Sequence, residues 1–171
     1  MSETLADPGR LAFVDEHSVE IDAGQERVWS ELLVVADRAF GGERKAGVAR
    51  VLGCEDRAAA GARPLAAGST LVGCRVLSAT AGSELALVGR HRFSRYALTF
   101  RLDARDSGHT VLRAETRADF PGIVGLVYRT LVIGTRGHVL VVKRMLGAVK
   151  RRSERTASSA RASAGASSAS A

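Results

Sequence analysis

At 171 residues with 46% hydrophobic side chains, the chain is long enough for one domain with a proper core, and its apolar fraction is ordinary for a soluble globular protein. Its net charge of +7 points to nucleic acid or an anionic membrane only until it is divided: +4 falls on residues 150–171, which leaves +3 for the other 149 and weakens that reading. Two cysteines, Cys54 and Cys74, with no CxxC spacing and no Cys/His cluster, read as buried free thiols of a reducing compartment, with a disulfide between them as the alternative; no metal site and no cofactor are expected.

The first fourteen residues are polar and carry no signal-peptide pattern, so residues 1–13 read as a flexible lead-in. Residues 16–23 alternate, with His17, Val19 and Ile21 on one face and Glu16, Ser18, Glu20 and Asp22 on the other, as in a half-buried strand. Val28, Trp29, Leu32 and Leu33 then fall at helical spacing, and the helix or helix pair runs to about Phe40, where Gly41-Gly42 ends it. A short strand is expected over 47–53 and an Ala-, Gly- and Arg-rich loop over 55–68.

Residues 69–79 read as one strand with Thr70, Val72, Cys74 and Val76 on one side. Residues 84–92 and 95–104 form a hairpin pair. Leu85, Leu87, Gly89 and His91 share a face of the first, and Tyr96, Leu98, Phe100 and Leu102 a face of the second. After the turn signal Asp106-Ser107-Gly108, residues 109–119 form the last strand, with Leu112, Ala114, Thr116 and Ala118 on one side. Consecutive short strands with tight turns make the sheet antiparallel.

Pro121 opens a long apolar stretch to Lys150, in which Ile123, Val127, Leu131, His138, Val141, Met145 and Val149 lie on one row and Val124, Tyr128, Val132, Val139, Val142 and Leu146 on the next. Such a stripe marks one helix pressed on a broad sheet. Arg129, Arg136 and His138 in its most apolar window speak against a transmembrane span, and a cytoplasmic domain is expected. After Arg152 the composition collapses to Ser, Ala and Arg, so 14–152 is expected to be the folded domain and 153–171 a disordered tail.

The order of strand, helix or helix pair, antiparallel strands and long helix, together with the segment VEIDAGQERVWSELLVVADRAF, resembles the SRPBCC superfamily of START-like, helix-grip proteins, and in particular its bacterial polyketide cyclase-like branch. The pattern is carried by Val19, Ile21, Ala23, Val28 and Trp29, and the resemblance covers roughly 14–150. It implies an α+β helix-grip fold, a bent antiparallel sheet of about six or seven strands wrapped around the C-terminal helix. It also implies a cavity between sheet and helix for a small hydrophobic, lipid-like or polyketide-like molecule, and it carries no catalytic motif.

For the cavity that the resemblance implies, strand alternation makes Val72, Cys74, Leu87, His91, Tyr96, Leu98, Leu112 and Thr116, and helical spacing Val127, Leu131 and His138, the expected wall. Polar selectivity would rest on His91, Tyr96 or His138. Three functions follow: non-catalytic binding of the hydrophobic molecule, a cyclase/aromatase-like reaction in which His91 or Tyr96 moves a proton, and an interaction protein that uses its basic surface or tail. No Asp or Glu is expected on an inward face beside the histidines, so no triad assembles. The arginines at 90, 92, 95, 101, 113 and 117 read as a salt-bridged outer face without the aromatics that stacked bases need. Arg90 and Arg92 have a second reading, at a cavity mouth against a ligand carboxylate. The pattern holds no specific nucleic-acid site and does not set the oligomeric state.

Overall fold

The computed structural model describes residues 8–41, 43–106, 108–121 and 137–168. A short 3-10 turn at Pro8–Arg10 leads into β1 (Phe13–Ile21), then α1 (Gln25–Phe40) and α2 (Glu43–Leu52). Five strands follow: β2 (Thr70–Leu71), β3 (Cys74–Thr80), β4 (Glu84–His91), β5 (Ser94–Asp106) and β6 (His109–Asp119). The last described element is α3 (Gly137–Ser168). The six strands form one antiparallel sheet in the order β1-β6-β5-β4-β3-β2, so the chain enters at one edge, crosses through α1 and α2 to the other, and returns by hairpins. The fold is thus α+β with the expected helix-grip arrangement.

Alternation places the core. Leu85 of β4, Phe100 of β5 and Ala114 of β6 pair in one rung, and Leu102, Leu112 and Val19 in the next. Against these rungs α1 buries Val28, Leu32, Leu33, Val35 and Ala36, and α3 buries Val142, Met145, Leu146 and Val149. The buried α3 positions recur at three- and four-residue steps, the amphipathic spacing of a helix covering a sheet. Thr110 Oγ1 donates to the Ala23 carbonyl at 2.8 Å and Gln25 Nε2 to the Gly82 carbonyl at 2.6 Å, which ties the start of α1 to the sheet.

Four expectations change. Residues 47–52 are helical, in α2, rather than a strand. Gly53 (φ +68°) ends that helix, its N–H donating to the Arg50 carbonyl at 3.1 Å while Cys54 N–H reaches the Ala49 carbonyl at 2.8 Å, a Schellman pair that a strand reading mistakes for a boundary glycine. The single strand expected over 69–79 is a hairpin, because Val72-Gly73 makes a two-residue turn with Gly73 at φ +94° and Leu71 pairs with Cys74.

The third change is in β1, which begins at Phe13, three residues earlier than expected, and so carries Asp15 on the face of His17, Val19 and Ile21. The fourth is at the C-terminal end. The helix does not stop near Lys150 but continues to Ser168, with Ser153 and Ala157 buried, so the packed structure passes the expected boundary at 152. Small side chains suffice there because α1 and α3 lie against each other. The first half of the expected helix, with Val127, Tyr128, Leu131 and Gly134, lies outside the described residues.

Candidate functional site

Toward the other end of the sheet the inner face changes character. Gly89, Tyr96 and Ala118 pair in one rung, where two of the three positions have almost no side chain. With only Tyr96 of the three bearing a large side chain, the rung leaves space beneath α3. A cavity of about 430 Å³ lies here, walled almost entirely by apolar atoms. The sheet supplies Cys74, Leu87, His91, Ser94, Tyr96, Leu98, Thr116 and Ala118, and the β2–β3 turn supplies Val72 and Gly73. Phe40, Ala49, Leu52 and Cys54 close one side, and Phe120 and His138, Val141 and Val142 of α3 the other.

Of the eleven expected wall residues, Val72, Cys74, Leu87, His91, Tyr96, Leu98, Thr116 and His138 come together here. Leu112 does not. It is 0% exposed in the solid core opposite Leu102, four residues down β6 from Thr116, where large side chains leave no gap. Val127 and Leu131 fall outside the described residues. The contributions of Phe40 and of α2 were not foreseen, since the strand reading of 47–53 had no way to bring Ala49 and Leu52 to the wall.

The polar groups on the wall are held by the fold itself. Tyr96 Oη donates to the Gly73 carbonyl at 2.5 Å, pinning the β2–β3 turn over the sheet. The Phe93 N–H donates to His91 Nδ1 at 3.1 Å, so neutral His91 carries its proton on Nε2 and donates to Ser94 Oγ at 3.0 Å. Burial pushes the His91 pKa below its ordinary 6.5. The unfolded chain therefore takes up that proton first: the contribution to stability is full above about 6.5 and is lost as pH falls below it.

His138 Nε2 and Asp15 Oδ2 lie 2.8 Å apart, and His17 Nε2 is 3.4 Å from the same oxygen. An acid does sit beside the histidines, against expectation. The period-2 pattern continues back from His17 to Asp15, and a strand started at residue 16 stops one step short of it. Asp15 pairs in register with Thr116, so this cluster borders the cavity wall. Asp15 Oδ1, His17 Nε2 and Thr116 Oγ1 are buried and have no hydrogen-bond partner among the described residues. Among the described residues no group of His, Cys, Asp and Glu is placed to hold a metal ion.

Cys54 and Cys74 are both free and buried. Burial, reinforced by Asp56, pushes the Cys74 thiol up to about 12, and burial also raises Cys54. The expected result is that iodoacetamide at pH 8 labels Cys74 about a hundredfold or more slowly in the native protein than in the unfolded chain. Equal rates in native and denaturing buffer, read by intact mass, would contradict that burial.

On the outer face, the Arg101 side chain pairs with Glu84 at 3.1 Å and Glu115 at 2.8 Å, and that of Arg113 with Asp103 at 2.8 Å and Glu16 at 3.5 Å. Arg117 also pairs with Glu115. These pairs compensate much of the basic strip. No described helix is long and apolar enough to cross a membrane.

No protein-family model matches the sequence, and no curated protein does. Solved structures do. A conserved protein from Geobacillus kaustophilus superposes with a TM-score of 0.53 at 14% identity, over 82% of this chain and 95% of that one. The di-domain ARO/CYC StfQ of the steffimycin biosynthetic pathway superposes with a TM-score of 0.52 at 13% identity, over 84% of this chain and 51% of that one, so the chain spans about half of its length. A START superfamily protein from Mycobacterium smegmatis has a TM-score of 0.48 at 15% identity, over 85% of this chain and 99% of that one. At such identities the likeness speaks to architecture. The strand order and the C-terminal helix give this chain the helix-grip fold, and the first two of these structures share its architecture.

Proposed function

We propose that the protein binds a small hydrophobic molecule in the cavity between the sheet and α3. The observation that carries this is the wall: about 430 Å³ of space lined almost wholly by apolar atoms, with a few polar groups at its margins, falls in the size and character range of small-molecule sites. Lipid-like and polyketide-like molecules fit that chemistry. Binding is favoured over cyclase-type proton transfer because the polar atoms such a step would use are engaged by the fold, both His91 ring nitrogens within the β4–β5 hairpin and Tyr96 Oη at Gly73.

The test uses the fluorescent apolar probe N-phenyl-1-naphthylamine. The protein should bind it one to one, with blue-shifted emission. Leu98→Trp, which fills the wall from β5, should weaken binding by about tenfold or more while the thermal midpoint stays within a few degrees. No saturable binding by the wild type, or undiminished binding by a folded Leu98→Trp protein, would count against the cavity as the site.

A further inference from the structure

Beside the apolar cavity runs a second groove, and the two share His91 and Ser94 on their walls. The groove is lined by Arg57, Arg90, Arg92 and Arg95, with Glu55 the sole acid among its described lining residues. Arg90 pairs with Glu55 at 3.4 Å. Glu55 is also shared with Arg75, at 3.4 Å, so it compensates only part of the charge. Arg57 spends its Nε on the Cys54 carbonyl at 3.0 Å, a bond that fixes the side chain without neutralising it. Arg95 Nε is sealed from solvent and meets no acceptor among the described residues, an arrangement that costs desolvation without a compensating bond.

Farther along the sheet Arg101 and Arg113 each pair with two acids. Positive charge is in excess where the apolar cavity meets the groove.

We infer that the ligand is an anionic amphiphile, with its apolar chain in the cavity and a carboxylate or phosphate head in the groove against Arg57, Arg92 and Arg95. This rests on the cavity reading above and adds the class of the head group. Guanidinium groups present forked donors that fit either anion. His91 and Ser94 mark the boundary between chain and head.

The experiment is displacement of N-phenyl-1-naphthylamine by three ligands with the same twelve-carbon chain: dodecanoate, dodecyl phosphate and dodecan-1-ol. Both anions should bind about tenfold or more tightly than the alcohol at low salt, and the difference should shrink as salt rises. Arg57→Gln with Arg92→Gln, both at exposed positions, should bring acid and alcohol to within about twofold of each other. Arg57→Lys with Arg92→Lys, which keeps the charge but loses the fork, should retain part of the preference. A preference for dodecyl phosphate alone would narrow the head to phosphate, and one for dodecanoate alone would narrow it to carboxylate. If the alcohol binds as tightly as both anions, or the glutamine variant keeps the full preference, the inference is overturned while the cavity reading stands. If none of the three displaces the probe and the probe itself does not bind, both fall.

Discussion

Replacing Gly89 by alanine should lower the stability of the protein by about 3 kcal/mol, near the upper end of what a single added methyl group costs in a packed interior. A Cβ at this position would stand 2.5 Å from the Gly73 carbonyl oxygen, 2.5 Å from Tyr96 Cζ and 2.6 Å from Tyr96 Oη. The Tyr96 ring lies across Gly89 to reach that same carbonyl, so the three groups are stacked with no slack. A flexible side-chain end gives way cheaply, but a backbone oxygen does not. Gly73 O belongs to the turn joining β2 to β3, and moving it breaks the bond to Tyr96 and loosens the cavity wall.

Tyr96→Phe separates the two costs. With Gly89 kept, it removes the hydrogen bond and introduces no clash, and should cost about 1 kcal/mol by itself. In urea denaturation, a loss for Gly89→Ala of no more than about 1 kcal/mol would show that the β2–β3 turn moves freely, against the rigid wall described above.

Gly89 also shows where the sequence stops being informative. Alternation alone placed it on the inner face of β4, in the company of Leu87 and His91, and that placement holds. What alternation does not reveal is the pairing of Gly89 with Tyr96 and Ala118. That pairing leaves one end of the sheet hollow while Phe100, Leu102 and Leu112 fill the other. Strand faces depend on a local period of two and are legible from any window of six residues. A cavity depends on register between strands far apart in the chain, and no window contains it.

The same distinction explains Asp15. Its parity was legible, but its bond to His138 spans 123 positions, and only the folded chain brings β1 and α3 together. The hairpin hidden inside 69–79 has a different cause. Thr70, Val72, Cys74 and Val76 alternate as a straight strand would, and the glycine that turns the chain sits at a position where a strand tolerates one. In α2 a run of ten residues with weak periodicity fits two templates, and the Schellman bonds that decide between them are properties of the backbone.

Ending the chain after Arg152 should cost about 2 kcal/mol, whereas ending it after Ser158 should cost little. Composition argued for the shorter chain, since nothing beyond 152 is larger than an arginine or apolar beyond alanine. Packing argues for the longer one. Ser153 is 0% exposed and Ala157 9%, because the close approach of α3 to α1 rewards small side chains where a core of large ones would not fit. Across that contact Arg152 Nε meets Glu31 Oε2 at 2.5 Å, and Thr156 Oγ1 lies 3.5 Å from the same carboxylate. Glu154 accepts the Asp22 N–H at 3.2 Å and pairs with Lys150 at 3.1 Å.

A helix leaves its last four carbonyls without partners and frays there. Stopping at Arg152 moves that frayed turn onto Val149, which is 0% exposed in the core. The loss is thus larger than the burial of Ser153 and Ala157 alone. Ser153 Oγ has no partner among the described residues, so its hydroxyl contributes nothing that an alanine would lack. Accordingly Ser153→Ala in the full chain should be neutral or mildly stabilising, which isolates helix packing as the source of the effect. Thermal and urea unfolding of the two truncated chains beside the full one decides it: equal stability of all three would put the end of the folded domain at 152 after all.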